Sequence, residues 1–82
     1  LDQHTMRKLI QFSTLIDKLN TMPTSQLSAI YNAKWREKYN DIDIETNKTI
    51  LEAIELVCGF NNIEITGRGG SYEFIEHDRS TQ

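Results

Sequence analysis

Three stretches in which apolar residues return every three or four positions precede two in which they alternate, and a Gly67-Arg68-Gly69-Gly70 run splits the latter pair. This order predicts a small helical core closed by a β-hairpin. With 82 residues there is chain for one domain, 1–82, with an ordered core of about 4–77. A barrel enzyme or a doubly wound nucleotide fold needs far more chain. A domain this short needs nearly all its large apolar residues for the core, which leaves little for an active-site cleft.

The first segment, about 4–20, places Met6, Leu9, Ile10, Ser13, Ile16 and Leu19 in one stripe, widened by Phe12 and Leu15. Thr21-Met22-Pro23 interrupts it, with room for a short extended first strand, and Thr24 or Ser25 suits the cap of a second helix over about 25–39. Asn40-Asp41 suits a helix end. Residues 40–46 read as an acidic loop anchored by Ile42 and Ile44. Thr46 then caps a third helix of about 47–58, with Ile50, Leu51, Ile54 and Val57 or Cys58 inside and Gly59 as its stop. Ile63-Glu64-Ile65 and Tyr72 to Glu76 alternate as strands, and the glycines between them supply the turn. The fold class this predicts is α+β: a winged helix-turn-helix, with a three-helix core and a two-stranded carboxy-terminal wing.

Catalytic patterns are missing. His4 and His77 stand at opposite ends, and no HExxH or CxxC spacing exists, so neither a metal nor another cofactor is expected. The lone Cys58 builds no disulfide framework and reads as a small buried residue, in keeping with a reducing intracellular setting. No run reaches the roughly 18 apolar residues that cross a bilayer. Leu1 opens the chain where a start methionine would stand, as expected of an excised piece of a longer protein. Asn47-Lys48-Thr49 matches a glycosylation sequon, without consequence inside a cell. Asp41, Asp43 and Glu45 lack the glycine and the late glutamate of a calcium loop.

The net charge is −3, but it is unevenly spread. Residues 1–40 carry six basic and three acidic side chains, residues 41–82 three basic and nine acidic. The richest stretch is Lys34-Trp35-Arg36-Glu37-Lys38-Tyr39, where cations that bind phosphate interleave with aromatics that stack on bases. Trp35 and Tyr39 suit the core equally well. Lys48 and Arg68, the latter at the hairpin tip, are outlying basic contacts. The third helix carries Glu52 and Glu55 on its outer face beside Lys48, which argues against ordinary duplex DNA readout.

Taken together, Leu9 to Leu19, Met22-Pro23-Thr24-Ser25-Gln26-Leu27 running into Ile30-Tyr31, Ile50-Leu51-Glu52-Ala53-Ile54, Ile63-Glu64-Ile65 and Gly67 to Phe74 resemble the LOTUS (OST-HTH) family of winged-helix domains. The likeness covers about residues 9–76. It is strongest to the tandem repeats of meiosis-regulating RNA-turnover proteins. The resemblance implies a non-catalytic part in post-transcriptional regulation, with RNA, including guanine-rich or quadruplex RNA, as the partner. It also implies a cytoplasmic site of action in ribonucleoprotein or germ granules. Extended members add a carboxy-terminal helix and engage a helicase. The polar segment Glu76 to Gln82 reads as too short for that helix and favours the short type.

The leading expectation is RNA binding through Lys34, Arg36 and Lys38 as a basic helical face, with Lys48 and Arg68 beside it. The alternative is a protein-interaction module that recruits a helicase or mRNA-decay factor, with Trp35 and Tyr39 as its anchor.

Overall fold

The computed structural model describes residues 2–77. Three helices, α1 (Gln3–Leu19), α2 (Thr24–Tyr39) and α3 (Ile44–Phe60), precede strands β1 (Ile63–Thr66) and β2 (Glu73–Glu76). The strands pair antiparallel, with Ile65 opposite Phe74 and Ile63 opposite Glu76. The architecture is thus α+β, with the two-stranded sheet following the helices. The segment 78–82, read above as too short for a further helix, lies outside the described residues.

Helix α3 is the centre of the molecule. Leu51, Ala53, Ile54, Val57 and Cys58 are buried on it, and it packs against α1, α2 and β1. Leu19 of α1 and Leu27 and Tyr31 of α2 complete the buried core, and Ile63, Ile65 and Phe74 close it from the sheet. Burial pushes the Cys58 thiol up to about 11, with the Glu55 carboxylate adding to the effect. Cys58 is therefore expected to resist iodoacetamide in the native protein at about pH 8 and to react once urea unfolds the chain, as mass spectrometry would show.

Helix ends depart from expectation in instructive ways. Helix α3 begins three residues early, at Ile44 after Asp43, so Thr46 caps nothing. The loop before it is short because Asp41 (φ 61°) and Asp43 (φ 43°) both take left-handed backbone, which Asp tolerates better than most residues. The Asp41 amide donates to the Lys38 carbonyl and the Ile42 amide to the Glu37 carbonyl, the bond pattern of a Schellman stop with aspartate in the usual glycine place. Gly59 does not stop α3. The helix runs through it, and the left-handed residue after the end is Asn62, φ 60°. No strand forms near Met22 among the described residues. Thr21 and Met22 turn on the Lys18 and Leu19 carbonyls, and only Pro23 is extended, at φ −67° and ψ 155°. The Thr24 hydroxyl does not cap α2 but donates to the Glu76 carboxylate of β2.

The α1 stripe is also half corrected. Phe12, Leu15, Ile16 and Leu19 face the core, whereas Met6, Leu9 and Ile10 are 45%, 54% and 60% exposed. The reason is geometric: the carboxy-terminal half of α1 packs on the core, whereas its amino-terminal half stands across an open groove from the first half of α3.

Candidate nucleic-acid interface

The hairpin is held to α2 by side chains of the helix's polar face. The Asn32 Nδ2 donates to the Tyr72 carbonyl at 3.0 Å, and the Tyr72 amide donates to Asn32 Oδ1 at 2.7 Å. One carboxamide thus satisfies both backbone groups of Tyr72, as a neighbouring strand would. The Tyr72 ring meets Tyr31 edge-on at 5.2 Å and Trp35 at 6.0 Å, which aligns the chain that leads back from the hairpin tip.

The tip itself is a turn from Arg68 to Ser71, closed by the Ser71 amide on the Arg68 carbonyl. Its central residues, Gly69 (φ 64°) and Gly70 (φ 80°), are both left-handed, as a primed turn requires. Arg36 Nη2 donates to the Gly70 carbonyl at 2.7 Å and fastens this turn to the last part of α2. A side chain at Gly70 would stand 2.9 Å from Arg36 Cγ and 3.2 Å from Trp35 Cε3. Gly70→Ala is therefore expected to cost about 1–2 kcal/mol in urea denaturation, from the left-handed backbone and the displaced arginine.

The docked turn and α2 enclose a shallow recess of about 520 Å³ lined by Trp35, Arg36, Tyr39, Asn40 and Gly69. Trp35 and Tyr39 stack with ring centroids 5.4 Å apart and planes within 10°. Trp35 packs inward against the core, while Tyr39 is 74% exposed. The sequence left both residues open between core and surface; each takes one of the roles. The recess thus offers a π surface, a guanidinium and the Asn40 carboxamide together.

The basic residues do not form one face. A helix turns by about 100° per residue, so Lys34 and Lys38 lie about 40° apart and Arg36 about 160° from both. Lys34 Nζ is 3.4 Å from Glu37 Oε1 in a half-exposed pair, which contributes at most about 1 kcal/mol. Glu37 is itself positioned by Asn47, whose Nδ2 donates to Glu37 Oε1 at 3.1 Å and to the Ile42 carbonyl at 2.8 Å. Asn47 is 1% exposed, so its sequon is closed to glycosylation in the folded chain. Arg36 is bonded only to a neutral carbonyl among the described residues and keeps its full charge, with further N–H donors unused. Among the described residues Lys38 and Arg68 are exposed without a carboxylate partner, Lys38 beside Tyr39 in sequence and Arg68 at the start of the turn. Lys48 projects from the first half of α3 and is not part of the recess.

Asn32 escaped sequence reasoning, as did the place of Asn40 in the recess wall and the close fit of Gly70 against Arg36. An asparagine in mid-helix is a poor helix former, and that cost was the available signal for Asn32. Elsewhere, Tyr31 Oη donates to Glu55 Oε2 at 2.8 Å, which takes Glu55 out of the freely solvated outer face. Burial, reinforced by that carboxylate, holds the Tyr31 hydroxyl well above the usual phenol range. Among the described residues no cluster of three or more His, Cys, Asp or Glu is placed to hold a metal ion, and no helix is long and apolar enough to cross a membrane. Comparison with family models, with curated proteins and with solved structures finds no significant match.

Proposed function

We propose that this domain is a non-catalytic RNA-binding module of a post-transcriptional regulator, a winged helix of the LOTUS kind whose wing is the hairpin β1–β2. The reading rests above all on one observation: Tyr39 presents a solvent-exposed ring, stacked from behind by Trp35, at the rim of a recess that also holds the Arg36 guanidinium. Such a ring takes an unpaired base, or the terminal plane of a guanine quadruplex, without a large ordering cost. Arg36 and Arg68, on the side of the docked turn, then meet the flanking phosphates, and Lys38, on the other side of α2, meets a phosphate further along the strand. Lys34 contributes less because Glu37 already engages it. Exposed Glu45 and Glu52 on α3 make that helix a poor occupant of a DNA major groove.

The test is fluorescence anisotropy of labelled single-stranded and guanine-rich RNA oligomers across a salt series. Contact with about three phosphates predicts a slope of roughly −2 in log affinity against log salt. Charge reversal of Lys38 and Arg68 together should flatten that slope. Salt-independent binding, or none at low salt, contradicts the reading. If RNA does not bind while a protein partner engages Tyr39, the alternative role as a protein-interaction anchor stands instead.

A further inference from the structure

Away from the recess, the amino-terminal half of α1 and the first half of α3 diverge and leave an open groove of about 570 Å³. Its floor is apolar, formed by Leu9, Phe12, Leu15 and Ile50. Its α3 wall carries Glu45 and Glu52, its α1 wall Lys8. None of these three charged groups has a side-chain partner among the described residues. Glu45 and Glu52 are seven residues apart, so they point in nearly the same direction about 10.5 Å apart along the helix. That spacing matches cations at positions i and i+7 of a second helix laid in the groove.

We propose that this groove binds a basic amphipathic helix of a partner protein, apolar ridge down, with lysine or arginine at heptad spacing along the flank that meets Glu45 and Glu52. The occupant is identified by that charge pattern. A second copy of this chain does not supply it: the exposed ridge of α1 is Met6, Leu9 and Ile10, and seven residues beyond its neighbours Arg7 and Lys8 stand Thr14 and Leu15. Nucleic acid is disfavoured by the same two carboxylates. Binding of this kind follows the helix-in-groove mode, in which apolar anchors give affinity and rim charges give selectivity.

The probe is a synthetic amphipathic helix of about 18 residues, roughly 27 Å long, with a leucine ridge and lysines at heptad spacing. Its control carries glutamate at the lysine positions. The lysine peptide should bind the 82-residue chain about tenfold more tightly than the control, since two rim contacts change from attraction to repulsion. It should move the amide resonances of Phe12, Thr46 and Thr49. The double variant Glu45→Lys/Glu52→Lys should reverse the preference, and its unchanged helical signal would show that it folds. Equal affinity for both peptides, an unreversed preference in the variant, or shifts confined to the Tyr39 recess would overturn the proposal. So would concentration-dependent self-association that buries the groove. RNA affinity is a separate readout, so failure here leaves the recess reading standing, and the converse.

Discussion

Asn32→Leu is expected to lower stability by about 2–4 kcal/mol, a large share of what a small domain has. The substitution leaves both backbone groups of Tyr72 without the partner that Asn32 supplies at 3.0 and 2.7 Å. Among the described residues only the Ser28 hydroxyl, at 3.4 Å from the Tyr72 carbonyl, still donates to it. The loss exceeds that of an exposed hydrogen bond because these groups are partly buried beneath the hairpin. Asn32→Asp should fall between the two. Its carboxylate still accepts from the Tyr72 amide but cannot donate to the Tyr72 carbonyl. Urea denaturation measures the stability loss. The same variants should weaken RNA binding, since Tyr72 leads directly from the turn that carries Gly69 and Gly70. An Asn32→Leu protein as stable as the parent would show that the ring contacts and the Arg36 bond to Gly70 hold the hairpin without Asn32.

Tyr39→Ala is expected to leave the fold nearly intact and to reduce RNA affinity between about 5-fold and 150-fold. Stacking of one base on an aromatic ring accounts for about 1–3 kcal/mol, which sets that range. The stability change should stay near 0.5–1 kcal/mol, from loss of the stack with Trp35. Tyr39→Phe should retain binding, because the ring rather than the hydroxyl carries the contact. Arg36→Lys is the companion variant. An ammonium keeps the charge but not the planar fork that reaches the Gly70 carbonyl and a phosphate together. The variants are measured by the same anisotropy assay and by thermal melting. Full RNA affinity in a well-folded Tyr39→Ala protein would remove the base-stacking role.

How far this could be read from sequence depends on the kind of interaction. The three helices were legible from apolar residues that return every three or four positions and the hairpin from two short alternations split by glycines, and Asn40-Asp41 ended α2 as expected. The start of α3 was not, because Asp43 enters left-handed backbone and lets the helix begin before the polar residues that look like caps. The α1 stripe misled at Met6, Leu9 and Ile10, since periodicity shows which side of a helix is apolar but not how closely a neighbouring helix approaches along it. In the candidate site, Trp35, Arg36, Tyr39 and Arg68 were visible as residue types. Their grouping was not, because it depends on Arg36 and Asn32 gripping a turn more than thirty positions away. Counting Lys34, Arg36 and Lys38 as one face ignored the helical angle between alternate residues.

Trp35 is the sole tryptophan of the chain and lies in the wall of the recess, so its emission reports on the recess directly. Titration with an unlabelled RNA oligomer at low salt should quench that emission saturably, with the same midpoint as anisotropy, and Tyr39→Ala should move both midpoints together. RNA binding that saturates while Trp35 emission stays constant would place the contact elsewhere and contradict the account.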